Sequence, residues 1–159
     1  IRDKLVTGVQ TCALPILNQP GQLAEAIAHG EAALRLNPNH VYAHANLGLA
    51  LLNVPGRTND ALAHLTAAVQ LAPDDAEARI TLANALFSVP GRLNDAREQY
   101  EAALRLRPNQ PDLHNNYAGV LSRLGRTADA RRELETALRL DPNYADAKSN
   151  LDRLKANAP

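Results

Sequence analysis

Apolar residues return along this chain at spacings of three and four, the period of amphipathic helices. Ala61, Leu65, Ala68, Val69 and Leu71 make one stripe, and Ala96, Tyr100, Ala103, Leu104 and Leu106 make a second. Ala130, Leu134, Ala137, Leu138 and Leu140 make a third at nearly the same internal spacing. A different stripe alternates with these, carried by Leu47 and Leu51, by Leu82 and Leu86, by Tyr117 and Leu121, and finally by Leu151. The pattern predicts two alternating kinds of helix. The second kind is expected from about His40 to Asn53, Asp75 to Ser88, Gln110 to Arg123 and Tyr144 to Ala156.

Breakers mark the joints. The stretch Ala103-Leu104-Arg105-Leu106-Arg107-Pro108 returns in near copy at 33–38, 68–73 and 137–142, and the closing prolines Pro38, Pro73, Pro108 and Pro142 stand 35, 35 and 34 residues apart. Leu52-Asn53-Val54-Pro55-Gly56 and Phe87-Ser88-Val89-Pro90-Gly91 read as tight turns, because proline presets φ at the first corner and glycine accepts a positive φ at the next. Leu17-Asn18-Gln19-Pro20-Gly21 aligns with them and is expected to turn as well. Arg123-Leu124-Gly125-Arg126 lacks the proline, which accounts for the shorter last period. Asn39, Asp74, Asn109 and Asn143 follow the four prolines, and their side-chain oxygens are expected to cap the helices that come next. Glu25, Asp60, Asp95 and Asp129 are expected to open the other helices, where an acid faces the positive end of the helix dipole.

A fixed period of this size is the mark of a repeat architecture. Each helix shows one stripe to its hairpin partner and another to the next repeat, so no hairpin buries its apolar surface alone. The expected fold is all-α, a right-handed α-solenoid of antiparallel helical hairpins.

The repeats resemble the tetratricopeptide repeat, TPR, whose pattern joins Leu-Gly in a first helix to Ala and a bulky residue in a second, with a terminal Pro. The copy from Val41 to Pro73 supplies Leu47-Gly48, Ala61, Leu65, Ala68 and Pro73. Leu82-Ala83, Ala96, Tyr100, Ala103 and Pro108 supply the next, and Tyr117-Ala118, Ala130, Leu134, Ala137 and Pro142 the third. The resemblance covers 17–159: a partial leading repeat 17–40, full repeats 41–75, 76–110 and 111–144, and a C-terminal capping helix 145–156. His44, Arg79 and His114 stand where such repeats often begin with a large aromatic, and Gly30 takes the slot of Leu65, Tyr100 and Leu134. Asp152 fills the small-residue slot of the last helix, which with Arg153 and Lys155 reads as a solvated cap.

Residues 1–16 fall outside this rhythm. Val6 to Ile16 resembles the translation of sequencing-library adapter DNA, and Ile1-Arg2-Asp3 its flank. The segment is expected to be non-native and irregular or kinked at Pro15, with native sequence starting at about Leu17 as a piece of a longer protein. It also contains the one cysteine, Cys12.

Composition narrows the function. Lys plus Arg and Asp plus Glu balance at 17 each, so no global field draws the chain to nucleic acid or an anionic membrane. Aromatic residues are 3%, too sparse for a base-stacking platform. No apolar run reaches the roughly 18 residues of a membrane span, and a soluble fragment, cytoplasmic or periplasmic, is expected.

The resemblance implies that first helices line a concave groove for an extended peptide or a partner helix. Projection of one helix face selects Tyr42, Asn46, Leu49 and Asn53, then Glu77, Thr81, Asn84, Phe87 and Ser88. Asp112, Asn116 and Arg123 follow, and Asn150 with Arg153 completes the row. Asn46, Asn116 and Asn150 hold equivalent places, with Thr81 interrupting them, and an amide offers both a donor and an acceptor to a peptide backbone. The row resembles the asparagine ladder in the repeat region of O-linked N-acetylglucosamine transferase. A carboxylate clamp, the family's other precedent, is not expected: Asn84 and Asn116 fit it, but Ile80, Asp146 and Asn150 stand where its cations belong.

His40 and His44 are four apart without a third ligand or the Glu of a zinc-protease helix, so capping and hairpin packing are expected of them. His29, His64 and His114 have no nucleophile or acid at a motif spacing, and no glycine-rich phosphate loop occurs. No catalytic residue, cofactor or metal is expected. The expected function is a non-catalytic protein–protein interaction scaffold. Its Pro-Gly-Arg turns also look like those in the repeat tails of larger bacterial enzymes such as membrane glycosyltransferases, and self-association through the truncated N-terminal end is a further expectation.

Overall fold

The computed structural model describes residues 20–156. The adapter-like segment, Cys12 and the packing expected of residues 1–16 lie outside the described residues. The chain divides into two compact units, parted between Leu71 and Ala72.

The N-terminal unit holds α1 (Pro20–Leu36), α2 (Val41–Leu52) and α3 (Thr58–Leu71). Pro20 and Gly21 lie inside α1, which corrects the turn expected there. Proline has no N–H to lose in a helix's first turn, and Gly21 is not among the glycines with positive φ. Glu25 consequently stands beyond the first turn of α1 rather than opening it. Leu47, Leu51 and Ala61 form the core, with Ile27, Leu34 and Leu52 packed against it. Two glycines let these helices approach. A Cβ on Gly30 would stand 3.0 Å from Leu47 Cβ, and one on Gly48 would stand 2.7 Å from Leu65 Cγ and 3.0 Å from the Ala61 carbonyl.

The C-terminal unit holds α4 (Ala76–Phe87), α5 (Leu93–Leu106), α6 (Pro111–Arg123), α7 (Thr127–Leu140) and α8 (Ala145–Ala156). Helices α4 with α5 and α6 with α7 form hairpins, α5 packs on α6, and α8 packs on both α6 and α7. Tyr100, Leu113, Val120 and Leu121 are fully buried, and the rings of Tyr100 and Tyr117 lie 6.1 Å apart. Each such aliphatic chain contributes about 1.5–3 kcal/mol by leaving water, and Ala83, Ala96, Ala103, Ala118, Ala130 and Ala137 keep the helices close enough to bury them.

The turns follow their glycines. Gly56 and Gly91 have φ of 80° and 79°, and Arg57 and Arg92 donate their N–H to Val54 and Val89 at 3.1 and 3.2 Å. The turn without proline closes differently. Arg126 N–H reaches the Leu121 carbonyl at 2.9 Å and Gly125 N–H that of Ser122 at 3.0 Å, with φ 75° at Gly125. This is a Schellman motif. Asp60, Asp95 and Asp129 each pair with the arginine three residues earlier, Arg57, Arg92 and Arg126, at the opening of α3, α5 and α7.

The expected Asx caps are displaced by one residue. His40, Asp75 and Gln110 are the N-caps of α2, α4 and α6. His40 Nδ1 accepts from Ala43 N–H, and Asp75 accepts from Glu77 and Ala78 N–H. Asn39, Asp74, Asn109 and Asn143 sit in the preceding turn instead. Asn37 and Asp141 close two of those turns by accepting the N–H of Asn39 and Asn143, because an Asx side chain reaches most readily to the backbone two residues on.

Candidate functional site

Three side chains at one repeat position tie each connector to the hairpin that follows. His44 Nε2 donates to the Pro38 carbonyl at 2.9 Å, Arg79 Nε to that of Pro73 at 2.8 Å, and His114 Nε2 to that of Pro108 at 2.8 Å. The far side of each group meets the second helix: His44 Nδ1 lies 3.0 Å from His64 Nδ1, Arg79 Nη1 3.2 Å from Gln99 Oε1, and His114 Nδ1 2.6 Å from Glu133 Oε2. Projection of the first-helix face does not reveal this latch. The signal that does is a side chain with an N–H donor six residues after each repeated proline.

The predicted groove residues divide between the units. Tyr42, Asn46, Leu49 and Asn53 lie on or at the end of α2, with Tyr42 60% exposed and Asn53 bonded back to the Leu49 carbonyl at 2.9 Å. In the C-terminal unit, Glu77 pairs with Arg107 at 3.4 Å. Thr81 is half-buried, while Asp112 and Asn116 are exposed. Ser88 ends α4, its hydroxyl 3.5 Å from the Asn84 carbonyl. Asn84 accepts from the Tyr100 hydroxyl. Burial raises the Tyr100 pKa, which keeps that hydroxyl a donor, and burial with the Glu101 hydrogen bond at 2.8 Å does the same for Tyr117.

The amides are partly occupied. Asn150 donates to Asn115 at 2.9 Å, and Asn115 donates to Asn116 at 3.4 Å. Asn115 is 8% exposed and serves as the buried link of this chain. The Asn150 carbonyl oxygen and the NH2 groups of Asn84 and Asn116 have no partner among the described residues.

Helices α6, α7 and α8, with Phe87 at the end of α4, line a cavity of about 300 Å³. Its apolar side is Phe87, Ala118, Ala130, Leu134 and Leu154, and its polar side is Ser122, Arg123, Asn150 and Arg153. Gly119 opens the wall: a Cβ there would meet only Phe87, at 3.8 Å. Arg123 lies over the Phe87 ring, its Cζ 4.6 Å from the centroid, and donates from Nη1 to the Phe87 carbonyl at 2.7 Å. The structure thus brings together Phe87, Arg123, Asn150 and Arg153 of the predicted row.

Stacked helical hairpins joined by short turns define a helical-repeat protein of the α-solenoid class. A family model described as tetratricopeptide repeat matches residues 55–89 and 90–157, and one described as TPR repeat matches 16–54. The chain belongs to the tetratricopeptide repeat family. Among solved structures it is similar to MamA at a TM-score of 0.77 and 24% identity, over 86% of this chain and 78% of that one. It is similar to YrrB, described as a TPR protein with an unusual peptide-binding site, at 0.74 and 25%, over 83% and 67%. It is also similar to the first TPR of Spaghetti (RPAP3), bound to the HSP90 peptide SRMEEVD, at 0.66 and 17%, over 73% and 90%. No curated protein matches it in sequence. Among the described residues no helix is long and apolar enough to cross a membrane.

Proposed function

We propose that this chain is a non-catalytic interaction scaffold that holds a segment of a partner protein against its first helices. The cavity of the C-terminal unit carries the reading: an apolar floor beside two arginines and an amide with a vacant acceptor. The peptide-binding descriptions of YrrB and Spaghetti support it as precedents for the fold. The row of Asn84, Asn116 and Asn150 is the part that reads backbone, and Asn46 serves equivalently on α2.

A random dodecamer peptide library, selected against the whole chain, supplies the probe. Ser122→Trp fills the cavity from an exposed position, and it should weaken the selected peptides by roughly tenfold or more with far-UV circular dichroism unchanged. Peptides that bind Ser122→Trp as well as wild type would place recognition elsewhere.

A further inference from the structure

We infer that the cavity is an anchor for an acidic segment of a partner protein, taking an Asp or Glu carboxylate on Arg123 and Arg153 and the apolar side chain beside it on Phe87, Leu134 and Leu154. The inference rests on the groove reading above and names its ligand class.

Charge complementarity carries it. Two guanidinium groups line the cavity, and no carboxylate is among its lining residues. Five other arginines of the C-terminal unit are committed to acids, Arg92 to Asp95, Arg97 to Glu101, Arg107 to Glu77, and both Arg126 and Arg132 to Asp129, and Arg79 and Arg139 are bonded to neutral groups. What sets Arg123 and Arg153 apart is that they line the cavity. Arg123 has no carboxylate among the described residues, and Arg153 has no polar partner among them.

Arg123 is also held in place. The Phe87 ring and carbonyl fix the guanidinium plane, and most of its N–H groups remain for a planar acceptor, so little side-chain freedom is lost on binding. Hydrogen bonds to an ionised carboxylate are the strong kind. The Asn150 carbonyl oxygen, left over from its bond to Asn115, can accept a backbone N–H of the same segment.

Nucleic acid fits less well. Phe87 is the one aromatic ring lining the cavity and Arg123 covers one of its faces, so successive bases find no row of rings to stack on.

The peptides selected as above test the inference through their composition. Expected is an acidic residue next to an apolar one, and a loss of at least roughly tenfold in affinity against the double variant Arg123→Glu/Arg153→Glu, which should itself select basic residues at that place. Circular dichroism checks the variant's fold; should the fold fail, Arg153→Gln and a salt titration of wild type replace it, and insensitivity to both overturns the inference. Peptides without acidic preference that still lose affinity on Ser122→Trp overturn this inference and leave the groove reading standing. No selected peptide at all overturns both. An oligothymidylate that binds in the same arginine-dependent way overturns the assignment to an acidic peptide.

Discussion

The hairpin α2–α3 of the N-terminal unit and the hairpin α4–α5 of the C-terminal unit share one frame and fill it differently. In the first, the small slot is Gly48 and Leu65 leans into it; in the second, the slot is Ala83 and its counterpart is Tyr100, which reaches to Asn84. The latch is His44 with His64 in one and Arg79 with Gln99 in the other, yet both hold a proline carbonyl six residues back. Backbone geometry sets which positions meet. The size and charge of what meets there are free to vary, provided the pair still fills the gap and satisfies the carbonyl.

Removing the larger partner should break the second hairpin most. Tyr100→Ala deletes a side chain that is 1% exposed and is expected to cost about 3–5 kcal/mol in urea unfolding. Tyr100→Phe removes only the bond to Asn84 and should cost about 1 kcal/mol. A Tyr100→Phe loss equal to that of Tyr100→Ala would show that the hydroxyl, not the ring, holds the crossing.

The first hairpin should fail instead at its small slot. Gly48→Ala forces a Cβ against Leu65 and the Ala61 carbonyl; overpacking costs about 1–3 kcal/mol, and improved helix propensity returns about 1 kcal/mol. The net expectation is a loss of up to about 2 kcal/mol by the same measurement. Gly119→Ala is the control, because its Cβ has room, and it should stabilise by about 0.5–1 kcal/mol.

The smallest effect separates the latches by pH. Burial first, and then the neighbouring His44, hold His64 below its ordinary value of 6.5, with Arg57 acting in the same sense and Asp60 and Glu31 opposing. The folded chain therefore keeps His64 neutral where the unfolded chain has begun to protonate. Its contribution is complete above about pH 6.5 and is lost as pH falls from there toward the lowered folded value. His64→Gln should flatten the slope of thermal stability in that window, whereas Gln99→Ala should leave the slope as it is.

How much of this was legible in the sequence depends on whether a feature is written along the chain or across it. The helices, their alternation and the three positive-φ glycines follow from local rules: Pro55-Gly56 and Pro90-Gly91 specify their turns, and the stripes through Leu47, Leu65 and Leu82 specify buried faces. Pro20-Gly21 misleads because the same dipeptide is tolerated in a helix's first turn. The cap at Asp75 rather than Asp74 is invisible to composition, since adjacent acids differ only in backbone angle. The bond from Asn150 to Asn115 spans 35 positions, and Arg123 reaches the Phe87 carbonyl 36 positions back. Such pairings between first helices one repeat apart depend on how closely the helices approach, which the Gly and Ala slots adjust residue by residue.

The latch also bears on how such a chain changes length. The carbonyls of Pro38, Pro73 and Pro108 are each read by a side chain downstream, within the stretch that runs to the next Leu-x-Pro. A block duplicated or excised along those lines carries both donor and acceptor with it. Copying errors of 34 or 35 codons, the spacing of the prolines, would then leave no orphaned carbonyl at the new joint, so that growth by whole repeats is the change this architecture tolerates best.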